Sequence, residues 1–299
     1  MTGAEQGFLL LTSHLGNPMR RPLTVAQFRL LTERMQLVDG KPEDRDLVAE
    51  DLKALGYNRE MAQRIVELLS EEDLLDHYLQ KARKLDCVPV TRISEGYPLV
   101  VRKRLGLDSP GCLWTRGDRS LLQEPSVSLV GSRELQEENW KFAAEVGRQA
   151  ALQGYVLVSG NARGADRTAQ ESCLAHGGKV ISVVADELWK QPIRENVLYL
   201  SEDGFEEAFS AQRALSRNRV IHAMGLKTFV AQASLKMGGT WDGTVKNLRF
   251  GWSPVYGFQD GSEAMELLTG MGLWPVKMVD LGDFYDLPQS EQNFLECKQ

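Results

Sequence analysis

From Pro125 onward the chain alternates short apolar runs with amphipathic stretches, and this rhythm constrains the fold more than any other feature. Val127 to Val130, Tyr155 to Val158, Val180 to Val184 and Thr228 to Ala231 read as strands, with Val197 to Leu200 and Val255 to Phe258 as further ones. Between them, Glu134 to Gln153 carries Phe142, Ala143, Val146 and Ala150 on one helical face and is closed by Gly154. Ala165 to His176 and Ala211 to Met224 read as further helices. Strands alternating with helices of this length predict an α/β fold: a doubly wound, mostly parallel sheet with helices on both faces. In such sheets ligands bind outside the carboxyl ends of the strands, so the loops that follow strands are the places to look for function.

The rest of the chain reads differently. Residues 1–86 are expected to form a small helical domain of sterile-alpha-motif or helix-hairpin type. Thr24 precedes the stripe Val25, Phe28, Leu31 and Met35, and similar stripes run through Leu47 to Leu55, Met61 to Leu69 and Glu71 to Leu85. Residues 87–124, with Tyr97-Pro98 and Ser109-Pro110-Gly111, read as a connector holding one or two short strands. The α/β domain is expected over 125–270 and an acidic tail over 271–299. No run approaches the roughly 18 apolar residues of a membrane helix. The apolar piece Phe8 to Leu11 lacks a basic flank and a small-residue cleavage site, so the expectation is a cytoplasmic protein with no membrane partner. Cys87, Cys112, Cys173 and Cys297 form no CxxC pair and His14, His77, His176 and His222 no HExxH spacing, so neither a disulfide framework nor a zinc hydrolase is supported, and no cofactor is expected.

The net charge is −6, which by itself disfavours a polyanion, but the distribution is uneven. Between Ala211 and Phe250 stand Arg213, Arg217, Arg219, Lys227, Lys236, Lys246 and Arg249 against the single acid Asp242, whereas acids dominate from Asp260 onward. Three loops or turns concentrate phosphate-binding chemistry. Gly131, Ser132 and Arg133 follow the first strand. They combine close backbone approach, a hydroxyl, a guanidinium fork and the free N–H groups of a following helix. A Gly-Ser turn before a helix is also common for purely structural reasons. Ser159, Gly160, Arg163 and Gly164 lie between the second strand and its helix, followed by Asp166, which also fits as an acid favoured by the helix dipole and paired with an arginine. This loop matches neither GxGxxG nor GxxxxGK[ST]. Arg217, Asn218 and Arg219 form the third, either a phosphate contact or a solvated helix surface.

Taken in order, Val130-Gly131-Ser132-Arg133, Ser159-Gly160 leading to Ala162-Arg163-Gly164-Ala165-Asp166, and Arg217-Asn218-Arg219-Val220-Ile221 resemble the DNA-processing protein A (DprA/Smf) family. Gly177-Gly178 before a strand, Pro192 to Asn196, Tyr97-Pro98 and Leu113 to Asp118 are similar to further family elements, over roughly Leu23 to Gly257. The resemblance implies a Rossmann-like domain that forms a homodimer, binds single-stranded DNA in a positive pocket and hands it to a RecA-type recombinase during natural transformation. It also implies that Arg133, Arg163, Arg194, Arg217 and Arg219 contact phosphates, while Gly131, Ser132, Gly160 and Gly164 shape the pocket. Phe229, Trp241 and Phe250 are the local rings on which bases could stack, with core packing the more ordinary use of Phe229. Asn161 stands where the family has an apolar residue, and Gln232-Ala233 where it has Glu-Ala. Met237-Gly238-Gly239-Thr240 is similar to the glycine-rich loop of related Rossmann-like proteins that bind nucleotides. Fewer than about 45 residues follow Gly257, so the winged-helix-like domain of many members is expected to be absent.

Two other readings stand beside DNA binding: a sensor or processing enzyme for a small nucleotide on the same fold, and a protein-interaction module. No catalytic constellation is visible: Ser132 and Ser159 have no histidine in a recognisable motif, and Asp166 and Asp186 are single carboxylates.

Overall fold

The computed structural model describes residues 1–36 and 47–287. The amino-terminal region is helical: α1 (Gly3–Thr12), α2 (Val25–Gln36), α3 (Ala49–Ala54), α4 (Arg59–Leu69) and α5 (Glu72–Lys84). The piece Phe8 to Leu11 belongs to α1, which opens on a reciprocal cap. The Thr2 hydroxyl accepts from the Glu5 N–H, and the Glu5 carboxylate accepts from the Thr2 N–H at 2.6 Å. Leu11, Leu23, Leu31, Leu52, Ile65 and Leu68 pack into a small core of their own. Arg20, 5 % exposed, clamps this region: its guanidinium pairs with Glu71 at 2.6 Å and donates to the carbonyls of Leu10, Ser13 and Leu68.

The stretch from 87 to 124 supplies β1 (Val88–Thr91), α6 (Leu99–Leu105) and β2 (Cys112–Gly117), and both strands are part of the main sheet. Then follow β3 (Ser126–Val130), α7 (Glu137–Leu152), β4 (Val156–Ser159), α8 (Ala165–Ala175), β5 (Lys179–Val183) and β6 (Val197–Ser201). After β6 come α9 (Ala211–Ser216), α10 (Asn218–Met224), β7 (Thr228–Val230), α11 (Gly238–Phe250), β8 (Val255–Phe258), α12 (Glu263–Gly270) and β9 (Trp274–Val276). Among the described residues the sheet has nine strands in the order β1-β2-β6-β5-β4-β3-β7-β8-β9. From β6 to β9 every pairing is parallel, while β1 and β2 add an antiparallel margin through β2 and β6. The doubly wound α/β architecture read from the alternation is therefore present.

Two details differ from the sequence reading. The single helix expected over Ala211 to Met224 is divided at Arg217 into α9 and α10, and the Arg217 side chain at the junction is buried. The segment from 271, read as an acidic tail, carries β9 and buries Leu281, Phe284 and Leu287 in the main core as far as the described residues extend. Its acids mask an apolar set that packs beside Phe229 and Tyr155. Glu291, Glu296 and Cys297 lie outside the described residues.

Layers follow from the alternation. Val127 and Leu129 of β3 face the core with Phe142 and Val146 of α7, whereas Val130, Val158 and Ile181 face α10 through Val220 and Ile221. The helical region is fixed to the sheet margin by a ring cluster. Tyr78 of α5, Trp114 of β2 and Phe205 pack in edge-on and tilted pairs with centroids 4.7–5.3 Å apart.

Candidate nucleic-acid interface

From β3 the chain winds one way to β4, β5 and β6, and the other way to β7, β8 and β9. The reversal between β3 and β7 parts the loops at their carboxyl ends and leaves a crevice there. A cavity of about 500 Å³ occupies it. Gly131, Ser132 and Arg133 form one wall, Ala162 and Asp166 another, Arg217 and Asn218 the floor, and Gly238, Gly239 and Thr240 at the amino end of α11 the far side. A second cavity of about 270 Å³ shares Arg133, Ala162, Ala214 and Arg217 and reaches Arg163, Arg167, Asp186 and Phe209.

Two glycines make this geometry possible. A Cβ on Gly160 would collide with both terminal nitrogens of Arg217 and with Asp166 Oδ2. Gly164 has φ +85°, and a Cβ there would strike the carbonyl oxygens of Ser132 and Arg133. The loop after β4 can therefore lie directly on the loop after β3, where Ala165 N–H donates to Ser132 O at 3.1 Å. Gln232 ties the loop after β7 to the same place. Its carbonyl accepts from Ser132 N–H at 3.0 Å and from the Ser132 hydroxyl at 3.2 Å, and its side-chain oxygen accepts from Gln136 N–H at 2.9 Å.

The floor is a buried ion pair. Arg217, 7 % exposed, donates through Nη1 to Val183 O at 2.7 Å and lies 3.9 Å from Asp166 Oδ2 through Nη2. Its Nε is buried without a hydrogen-bond partner. Burial pushes the Asp166 carboxyl up to about 6, against the opposing pull of Arg217 and the Ala162 N–H. Burial also lowers the Arg217 guanidinium, countered by Asp166, Asp186 and Glu202. Above this floor Arg133 and Arg167 are exposed and form no ion pair among the described residues. Arg163 meets Glu134 at 3.2 Å, with side chains 74 % and 89 % exposed, so water screens the contact and an incoming phosphate can displace the carboxylate.

The structure brings Gly131, Ser132, Arg133, Arg163, Arg217 and Asn218 together around these two cavities, with Gly160 and Gly164 setting the floor and the loop. Ser159 is fully buried, and its hydroxyl accepts from Gln170 Nε2 at 2.8 Å beneath the hollow. Asn218 Nδ2 donates to Gly239 O at 3.1 Å and so holds α11 in place. Two of the expected phosphate ligands are elsewhere. Arg219 lies on another face, paired with the buried Glu202 at 2.6 Å and donating to Asp108 O at 3.0 Å. Arg194 is exposed beside a third cavity with Gln191 and Tyr199. Of the three rings, Phe229 is fully buried and Trp241 packs against the core. Phe250 is exposed but lines a separate groove on the Arg219 face. Sequence reading missed Arg167 and Phe209. Arg167 sits in the first turn of α8, where the glycine spacing of the preceding loop points to it. Phe209 precedes α9 outside any periodic element and gives no signal.

The family model for the DNA recombination-mediator protein A matches residues 89–245, which contain most of these walls. The chain belongs to the DNA recombination-mediator protein A family. It is 32% identical over 141 residues to DNA processing protein DprA of Streptococcus pneumoniae, covering 44% of this chain and 50% of that one. Over 165 residues it is 25% identical to DprA of Bacillus subtilis, covering 52% and 54%. The chain thus spans about half the length of the curated relatives it matches. The solved S. pneumoniae DprA superposes with a TM-score of 0.65 at 22% identity, over 90% of this chain and 99% of that one. DNA processing protein A of Helicobacter pylori superposes with a TM-score of 0.53 at 25% identity, over 63% and 90%, and its structure is described for a single-stranded DNA binding mode. The segment between Arg133 and Arg217 lies inside the family match, whereas α1 to α5, β8 and β9 lie outside it.

Among the described residues no group of His, Cys, Asp and Glu is placed to hold a metal ion, and no helix is long and apolar enough to cross a membrane.

Proposed function

We propose that the chain binds single-stranded DNA in the hollow at the carboxyl edge of its sheet and does no chemistry on it. The observation that carries this reading is the layered charge of the hollow. Arg133, without an ion-pair partner among the described residues, stands over the buried guanidinium of Arg217 at the crevice between β3 and β7. Guanidinium forks take phosphate oxygens in a bidentate fashion, and such contacts are indifferent to base sequence and weaken with salt. The relative from H. pylori, described for the same kind of ligand, supports it. Ser132 and Ser159 spend their hydroxyls on Gln232 and on Gln170 and Gly160, which supports a binding rather than a hydrolytic role.

Family membership supports a wider role, in which a cytoplasmic homodimer protects the strand and loads a RecA-type recombinase in DNA uptake, transformation or recombination. A second reading has its own observation. Gly238, Gly239 and Thr240 place the amino end of α11 on the same cavity, an arrangement that also suits the phosphate of a mononucleotide.

Fluorescence anisotropy with labelled dT oligomers, competed by a panel of mononucleotides, separates the two. The DNA reading expects oligomer binding that falls linearly in log–log with salt, by about 0.7 decade per decade of salt for each phosphate held. Tight mononucleotide binding with a flat salt response would refute it.

A further inference from the structure

The hollow does not end at Phe209. A third cavity of about 250 Å³ shares Asn161 and Arg167 with the second one and continues to Gln191, Arg194 and Tyr199. The three follow one another, linked first by Arg133 and Arg217 and then by Arg167, and the third descends beside α8 from the carboxyl edge towards the amino ends of β5 and β6. Resting on the DNA reading above, we infer that a bound strand continues from the hollow across Phe209 and Arg167 to Arg194, where a second subsite takes a flanking base and its phosphodiesters.

Three observations carry it. Arg167 and Arg194 are both exposed and make no ion pair among the described residues, so their charge is free for a polyanion. Asp186 and Glu171 are the acids that line this stretch, and neither is within ion-pair distance of the two arginines. Phe209 is 56 % exposed beside Arg163 and Arg167, an unburied ring among cations, which is the combination that holds an unpaired base and its backbone together. The alternative route leads over α11 into a larger groove of about 740 Å³ with Arg219, Lys246 and Phe250. There the cations are already matched. Arg219 meets Glu202 at 2.6 Å, Lys246 meets Asp242 at 2.7 Å, Asp203 is paired with Arg213 at 2.8 Å, and Asp108 adds further negative charge. A strand turning that way must break ion pairs, whereas one turning towards Arg194 meets unpaired arginines.

The test is the dependence of affinity on oligomer length, read by anisotropy with short and long dT oligomers of about 4 and about 12 nucleotides, the range one site spans. In the double variant Arg167→Ala/Arg194→Ala the advantage of the long over the short oligomer is expected to shrink about tenfold. The salt slope of the long oligomer should become shallower by about 1.4, two phosphates at about 0.7 each. Phe209→Ala should weaken the long oligomer about tenfold with the salt slope kept, as loss of stacking does. Unfolding midpoints by circular dichroism confirm that these exposed substitutions leave the fold intact. If instead Lys246→Ala removes the length advantage and the double variant keeps it, the path is wrong. In that case Arg133→Ala still weakens both oligomers and the DNA reading survives. If the unaltered chain binds neither oligomer, both fall together.

Discussion

Arg217 and Arg219 are two residues apart at the start of α10, yet they end in opposite settings. Arg217 points under the hollow, meets Asp166 at 3.9 Å and leaves the surface above it to the free Arg133. Arg219 points over the Asp108 side and is matched by Glu202, itself 5 % exposed in its side chain. Both faces look basic in sequence. Among the described residues the first keeps cationic groups without carboxylate partners and the second pairs Arg219 and Lys246, so the count of arginines says less about a polyanion site than the placement of their counter-charges does.

The comparison can be broken most forcefully at its floor. Arg217→Ala leaves Asp166 buried without its cation and should cost about 3–5 kcal/mol, read as a lower urea midpoint at unchanged slope. Gly160→Ala forces a methyl into the Arg217 guanidinium and should cost about 1–3 kcal/mol, with DNA binding lost in proportion as the floor shifts. A mild effect of Gly160→Ala on both would show that the floor tolerates repacking.

The next effect is one of pH. The Asp166 carboxyl sits at about 6 in the folded chain, above its unfolded value near 3.8. The native state therefore holds this proton more firmly. The stability tied to it is fully present below about 4 and is lost as pH rises through about 6. Protonation also removes one negative charge from the wall of the hollow, so dT affinity should rise as pH falls from about 7 to about 5, about one unit either side of this group. Asp166→Asn should flatten both profiles. Smallest is Glu134→Gln: it frees Arg163 from a screened surface pair, should raise dT affinity by no more than about fivefold, and should leave stability within about 0.5 kcal/mol.

The alternation of apolar runs and amphipathic stretches made the parallel sheet legible, because strands buried on both faces have little room for polar residues. The loops at its carboxyl edge were equally legible, and Gly131, Arg133, Gly160 and Arg163 meet there. Directions of side chains were not. The inward placement of the Arg217 guanidinium depends on the room left by Gly160, more than fifty residues away in the chain, and no local pattern encodes it. The buried Leu281, Phe284 and Leu287 were hidden among acids, since the core they join is distant in the chain, with Phe284 meeting Tyr155 just before β4 and Phe229 of β7. Phe209 became visible only when the fold set it beside Arg163 and Arg167.

The most direct test of the central claim is the salt dependence of dT-oligomer binding to Arg133→Ala and Arg219→Gln, each kept below its own unfolding transition. The account predicts that Arg133→Ala loses about tenfold or more in affinity and about 0.7 in slope, while Arg219→Gln keeps the slope of the unaltered chain. A full slope in Arg133→Ala, with the loss appearing in Arg219→Gln, would contradict it.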